Sequence, residues 1–573
     1  MPDPKSVLAE RLQVGFDRLE PGADPVLRAS DRADFQANGA LALAKRLGRS
    51  PREVAEAVVA QVDVADLCDL VEVSGPGFIN LTLSAPFLAS QLSAMAVDGR
   101  LGVEQAVEPQ RVVVDYSGPN VAKEMHVGHL RSTVIGDSIC RILDFVGHQV
   151  IRENHVGDWG TPFGMLIEHL IDLGEGAVEE LSVGDLDAFY RQARESFDTD
   201  QTFRERSRRR VVLLQSGDEE TLALWRILVA ESVRHYDAVY EKLGVLLTDD
   251  DIVGESFYNP MLAGVVEDLR GTGLLEESDG AQCVFPPGFE NRNGEPLPLI
   301  VQKSDEGYGY AATDLAAVRD RVERLGASRI LYVVGSPQSQ HLQMVFAVAH
   351  MAGWLPEGVD AVHVAFGSVL GPDNKMFKSR SGESVKLDAL LDEAVERAAT
   401  AMAERESDMQ AVDRAAAART LGIGAVKYAD LSTERHRDYV FDWDRMLAFE
   451  GNTGPYLQYA HARIRSIFRR GNVTAPDPAV PVTLVDPDER SLVLQLLGFG
   501  EAVAASLQAT SPSKLSAYLF DLASVFTSFY ENCPVLRAPD DETRRSRLVL
   551  SDLSARVLAV GLGLLGIGAP ERM

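Results

Sequence analysis

Cysteine is scarce in this chain: 573 residues contain only four, Cys68, Cys140, Cys283 and Cys533, scattered and without a CxxC pair. That argues against a thiolate-bound zinc centre and a disulfide framework, and it fits a reducing compartment. Long apolar runs are also missing, none approaching the roughly 20 residues that cross a bilayer. The opening MPDPKSVLAERLQ has neither the basic nor the apolar region of a secretion signal. A cytoplasmic protein with no membrane attachment is expected. Positive charge is the third shortage. With 56 basic against 85 acidic side chains the formal charge is −29, so a polyanion is repelled except where arginines gather. Two such gatherings exist: Arg204, Arg206, Arg208, Arg209 and Arg210 in one stretch, and Arg463, Arg465, Arg469 and Arg470 in another. A chain of this length is too long for one core and is expected to divide into three or four domains.

What is present begins with PNVAKEMHVGH, Pro119 to His129, set between the apolar run Val112, Val113, Val114 and an amphipathic stretch starting at Leu130. The β-branched segment from Arg111 reads as a buried strand. Leu130, Val134, Ile135, Ile139, Ile142, Leu143 and Val146 recur at helical spacing, Gly147 closes the helix, and Val150 and Ile151 open a second strand. The order is that of a parallel βαβ unit with its loop at the carboxyl edge of the sheet, beside a helix amino terminus that attracts phosphate. His126 and His129, three apart, offer imidazole N–H donors on one face, and Gly128 allows close approach of the backbone. Far downstream, KMFKS at Lys375 to Ser379 lies in the loop Gly371 to Gly382, after the apolar run from Ala361 to Phe366. Two lysines three apart on a glycine-bounded loop suit a triphosphate whose pyrophosphate departs.

HVGH followed by KMFKS resembles the paired signatures of class I aminoacyl-tRNA synthetases, and DYSGPNVAKEMHVGHLRSTVIGD, Asp115 to Asp137, is similar to the arginyl-tRNA synthetases. The resemblance continues through NHVGDWGTPFG, GYAATDLAA and FEGNTGPYLQYAHARI to the terminal PERM. Phe377 stands where the class pattern has serine, and DLSAR, Asp552 to Arg556, stands where the helical domain of this family carries DALR. The resemblance implies ATP, arriving with Mg2+, and L-arginine and a cognate tRNA as partners, with no zinc, no tightly bound organic cofactor and a monomeric chain. By the same carry-over Pro119, Asn120, His126, Gly128, His129, Met376, Lys378 and Ser379 hold ATP. His126 and His129 would meet the triphosphate in the transition state, Lys378 the leaving pyrophosphate, and Lys375 would support it. Asn120 and His126 would hold the amino-acid end of arginine, with Asp115 and Gln338 completing the pocket.

A planar guanidinium calls for a carboxylate placed side-on. Tyr310 and Asp314, four apart in a helix-compatible segment, project on one face, which makes Asp314 the leading candidate with Tyr310 closing over it. An RNA-facing surface is expected on the helix that starts at Pro455, where Tyr456, Tyr459 and Arg463 interleave aromatic and basic character. The expected fold class is α/β: a Rossmann-type parallel-sheet core with an α+β N-terminal domain and an all-α C-terminal bundle. The expected boundaries are 1–105 for the N-terminal domain and 106–387 for the catalytic domain, interrupted by a helical insertion at about 172–296. A helical connection then runs over 388–445 and an anticodon-binding bundle over 446–573.

Overall fold

The computed structural model describes residues 3–174, 186–304, 307–377, 385–403, 410–474, 476–477, 480 and 482–573. Its first unit is a four-stranded antiparallel sheet, ordered Leu27–Ala29, Phe35–Ala37, Phe78–Leu83, Cys68–Ser74. Ile79, Leu81 and Leu83 alternate inward along the third of these strands. Helices Pro4–Leu19, Gly39–Leu47, Pro51–Val59 and Ala85–Val97 accompany the sheet, and Ser50 and Glu53 form a reciprocal capping box at the third.

The second unit is a four-stranded parallel sheet in the order Asp360–His363, Arg329–Tyr332, Arg111–Asp115, Gln149–Glu153. Register pairs Val113 with Ile330 on one side and Ile151 on the other. Val112, Val113 and Val114 are all fully buried, because helices cover both faces of a parallel sheet. Val112 and Val114 belong to the core shared with helix Val127–Val146, and Val113 to the opposite core, with helices Tyr310–Glu323 and Ser339–Met351. Gly136 keeps Val127–Val146 close to the strand end, since a Cβ there would lie 2.4 Å from the Tyr116 side chain. Gly147 ends that helix at φ +96°, the expected left-handed cap.

Between the sheet's halves come helices Thr161–Leu173, Leu186–Thr199, Gln201–Ser216, Glu219–Leu243 and Leu262–Gly271. The sequence reading made this insertion helical as far as residue 296, but its last part folds instead as a three-stranded antiparallel sheet, Glu276–Ser278, Ala281–Val284 and Leu299–Gln302. The FPPGFENRNGEP segment is the turn of this sheet, drawn tight by Asn291 N–H to the Glu295 carbonyl at 2.8 Å and Leu297 N–H to the Phe289 carbonyl at 2.9 Å. No apolar periodicity marked it, because its strands are short and half exposed.

Apart from the short parallel pair Val369–Leu370 and Tyr439–Val440, the remainder is helical: Leu387–Ala403, Ala411–Leu431, Gly454–Gly471, Pro487–Leu497, Phe499–Gln508, Ser513–Asn532 and Asp541–Leu564. Against expectation, the stretch Pro487–Gln508 is long and apolar enough to cross a membrane by length and composition alone. It is two helices of the bundle core: Tyr518 donates its hydroxyl to the Gln495 carbonyl at 2.8 Å, where the chain breaks at Gly498, and Leu492, Leu496, Phe499 and Val503 are fully buried.

Candidate active site and RNA-facing surface

The loop after strand Arg111–Asp115 carries left-handed backbone at Ser117, Gly118 and Ala122, a shape that neighbours must hold in place. Gly118 N–H donates to Asn154 Oδ1 at 3.0 Å, and Ser117 N–H to Ser132 Oγ at 2.9 Å. The insertion helix Glu219–Leu243 braces the same loop. Ser232 Oγ accepts from Ala122 N–H at 2.9 Å, Tyr236 donates to the Asn120 carbonyl at 2.7 Å, and Tyr240 shares a 2.8 Å hydrogen bond with Ser117. These three residues were missed from the sequence, although their spacing of four places three polar tips on one helix face. Pro119 is buried within the loop and Asn120 is exposed at its edge.

His126 is the N-cap of helix Val127–Val146. Its Nδ1 accepts from Gly128 N–H at 3.0 Å, and His129 Nδ1 accepts from His126 N–H at 3.1 Å. Accepting at Nδ1 leaves each neutral ring with its proton on Nε2. Burial lowers the pKa of His126, and burial followed by the neighbouring His126 brings His129 down to about 3. Two neutral imidazoles therefore cap this helix terminus through Nδ1, each keeping an Nε2–H donor, with ring centroids 4.1 Å apart. Gly128 has a reason nearer than any ligand: a Cβ there would stand 2.7 Å from the His126 ring.

The segment that follows the lysine loop meets this terminus through its backbone. Val127 N–H donates to the Val385 carbonyl and Leu387 N–H to the Met125 carbonyl, both at 2.9 Å, so His126 and Lys386 pair as antiparallel neighbours. Upstream, Gly371 N–H reaches the Lys375 carbonyl at 2.7 Å, and Phe377 stacks on Phe441 at 4.9 Å. Phenylalanine at this position thus has a packing role. Lys375 and Met376 are exposed; Lys378 and Ser379 lie outside the described residues.

Of the residues expected to bind arginine, Tyr310 opens helix Tyr310–Glu323 and is 75% exposed, while Asp314 and Arg321 follow on the same face. Asp314 Oδ2 is 2.5 Å from His341 Nε2, and this hydrogen bond raises the histidine pKa. Asp115 is buried and engaged. Its Oδ2 accepts from Arg321 Nη2 at 2.8 Å while Glu153 accepts from Arg321 Nε at 2.6 Å, and the guanidinium is fully enclosed against Tyr332. Gln338 sits exposed in the turn Ser336–Gln338. One acidic residue escaped the sequence reading. Glu255 lies where burial, then Asp158 and Asp314, push its pKa up to about 8, and no motif or periodicity singled it out.

Both arginine clusters spend charge inside the molecule, the second through Arg465 on Asp552 and Arg469 on the Glu571 carbonyl. In Gln201–Ser216, Arg206 pairs with Asp172 at 2.6 Å, Arg210 with Glu168 at 2.7 Å, and Arg204 donates to the Phe197 and Asp198 carbonyls. Arg204, Arg206 and Arg210 are therefore engaged within the molecule, and Arg208 and Arg209 are exposed. In Gly454–Gly471, Arg463 lies 4.5 Å over the Tyr530 ring, beside a cavity of about 390 Å³ lined by Phe449, Glu450, Tyr456, Tyr459 and Tyr530.

A parallel sheet whose carboxyl edge joins an HxGH helix terminus to a lysine loop, with a helical bundle behind it, is the architecture of class I tRNA synthetases. Comparison with known families agrees. The chain matches "tRNA synthetases class I (R), catalytic domain" over residues 91–443, "DALR anticodon binding domain" over 457–573 and "Arginyl tRNA synthetase N terminal domain" over 7–83. It is 55% identical to an arginine–tRNA ligase of Thermobifida fusca over the full length of both chains, and 49% identical to that of Edwardsiella ictaluri over 96% of each. Among solved structures, the arginyl-tRNA synthetase of Plasmodium falciparum superposes with a TM-score of 0.86 at 31% identity, covering 100% of both chains. That of Thermus thermophilus gives 0.83 at 26% identity, over 99% of this chain and 100% of that one. The chain belongs to the arginyl-tRNA synthetase family.

Proposed function

We propose that the protein joins L-arginine to its cognate tRNA in two steps, through an arginyl-adenylate with release of pyrophosphate and then AMP. The observation that supports the reading is the pairing of Val385–Leu387, which follows the lysine loop, with Met125–Val127, which includes the first histidine. In this scheme arginine's carboxylate attacks the α-phosphate of ATP in line. The Nε2–H groups of His126 and His129 donate to the triphosphate as charge builds, with Pro119, Asn120, Gly128, Met376 and Ser379 around the nucleotide. Neutral donors suit this task because they need not lose a proton on binding or release. Lys378, supported by Lys375, stabilises the departing pyrophosphate, and Mg2+ arrives with ATP. Asn120 and His126 hold the amino-acid end. Asp314 takes the guanidinium with Tyr310 over it, Asp115 and Gln338 complete the pocket, and Glu255 adds a further carboxyl.

The 2′-hydroxyl of the tRNA's terminal adenosine then takes the arginyl group, while Tyr456, Tyr459 and Arg463 hold unpaired bases of the RNA at the aromatic cavity. A monomer in the cytoplasm, with no membrane partner, is the working arrangement. The direct test is charging of tRNA with each amino acid, alongside amino-acid-dependent exchange of pyrophosphate into ATP with and without tRNA. Arginine alone should support both, and support by another amino acid would reject the assignment. His129→Ala should lower turnover by roughly 10²- to 10³-fold, as loss of a transition-state donor does, with tRNA affinity nearly unchanged. Equal losses of tRNA binding would reassign that histidine.

A further inference from the structure

Among the helices that end without a cation of their own, two meet at the domain junction. Neither Ala85–Val97, which closes the N-terminal domain, nor Val127–Val146, which bears His126 and His129, has a basic residue in its last turn. The terminal carbonyls of a helix carry partial negative charge and need donors. Here each helix is served by an arginine from another segment. Arg556, the arginine of DLSAR, donates from Nη1 to the Ala96 carbonyl at 2.6 Å and from Nη2 to the Asp98 carbonyl at 3.1 Å. Arg100 donates to the Phe145 carbonyl and lies 4.8 Å over the Phe145 ring. The turn between these two attachments is tied internally, the Asp98 carboxylate accepting from Arg100 N–H at 2.9 Å and from Gly102 N–H at 2.8 Å.

The other end of DLSAR is tied to helix Gly454–Gly471. Asp552 accepts from Arg465 Nη1 at 3.2 Å, on the helix that carries Tyr456, Tyr459 and Arg463. Leu553 and Ala555 between them are buried. The sequence thus looks two ways from one helix, to helix Gly454–Gly471 through Asp552 and to the domain junction through Arg556.

We infer that DLSAR is an interdomain clasp: Arg556, acting with Arg100, is a positioning residue that holds the RNA-facing bundle, the N-terminal domain and the histidine-bearing helix in one register. A tRNA gripped at two separated surfaces binds well only if their spacing is set beforehand, because otherwise binding must supply that ordering. Small substrates engage the catalytic domain alone and are indifferent to it. The inference rests on the RNA-binding role proposed for helix Gly454–Gly471.

The test uses the full chain and its cognate tRNA. Arg556→Ala should raise the KM for tRNA about tenfold, a modest part of the gain that linked sites provide, with the KM values for arginine and ATP within about twofold of wild type. Arg556→Lys, which keeps a cation for one carbonyl, should recover part of the loss. All four cysteines are buried, so dyes on Arg49→Cys and Glu531→Cys label selectively and report the spacing of N-terminal domain and bundle by single-molecule energy transfer. The distance distribution should be narrow in the parent, broad with Arg556→Ala and intermediate with Arg556→Lys. An unchanged tRNA KM overturns the inference, as does a raised KM with an unchanged distance distribution, which would put Arg556 on the RNA itself. Failure of the unsubstituted chain to charge arginine would instead reject the proposed function and leave the distance measurement readable.

Discussion

Asp115 and Asp314 both stand near Tyr332 at the carboxyl edge of the parallel sheet, and the sequence offers both as ligands for arginine, yet their surroundings differ in kind. Asp115 is one arm of a buried triad with Arg321 and Glu153, and its partner guanidinium has no exposed surface. Asp314 faces a half-buried histidine at 2.5 Å and lies one helical turn from the exposed Tyr310. A carboxylate already matched by an internal arginine serves first to keep that arginine charged and buried. One matched by a titratable histidine can exchange its partner for a substrate.

Removing a carboxylate from each site should separate these roles, and the largest effect is expected at Asp115. Asp115→Ala leaves Arg321 with a single carboxylate in a sealed environment, and breaking a buried pair in this way costs about 3–5 kcal/mol. Chemical denaturation should show that loss; a variant as stable as the parent would erase the distinction between the two sites. Asp314→Ala should leave stability nearly intact and raise the arginine KM roughly a hundredfold, in line with the 2–5 kcal/mol lost when one partner of a desolvated charge pair is truncated. An unchanged KM would remove Asp314 from the pocket.

A smaller effect is expected at Glu255. Its pKa of about 8 keeps it mostly protonated at neutral pH, and an arriving guanidinium should draw the proton off. Calorimetry in buffers of different ionisation enthalpy should then detect proton release on arginine binding near pH 7, and Glu255→Gln should abolish it. The same raised pKa means that Glu255 favours the folded state below the ordinary carboxyl range and that this contribution is lost as pH rises towards 8.

The smallest effect should come from His341. Its pKa is raised by Asp314, so the pair stabilises the fold below the usual histidine range and is lost as pH rises through the elevated value. The protonated histidine competes with arginine for the same carboxylate. Arginine KM should therefore fall a few-fold, about two- to fivefold, as pH rises through this titration, and His341→Asn should flatten the profile. A parent enzyme with a flat profile would show that the contact does not guard the pocket.

Some of this site was legible before folding was considered. The strand from Arg111, the helix closed by Gly147 and the histidine pair between them are local, and hydrophobic periodicity with one glycine cap is enough to place them. Tyr310 and Asp314 share a helix face because their spacing is four. Ser232, Tyr236 and Tyr240 were not legible as supports of the nucleotide loop, since more than a hundred residues separate them from Asn120 and Ala122. Nor was Arg321, which reads as one more charged residue on an exposed-looking helix. The basic run Arg204 to Arg210 shows the same limit in reverse, because Arg206 and Arg210 are matched by Glu168 and Asp172 on the neighbouring helix.

The sequence by itself determined the strand from Arg111, the helix closed by Gly147, the helices of the bundle and which chemical groups stand at the histidine-bearing terminus, because these follow from near-neighbour sterics and periodic burial. Only the tertiary structure decided the protonation of those groups and the partner of each charge. Solvation and Coulomb interactions depend on what lies a few ångströms away in space, and here the deciding neighbours are brought from distant parts of the chain: Arg321 to Asp115, His341 to Asp314, and Arg556 to the end of the N-terminal domain.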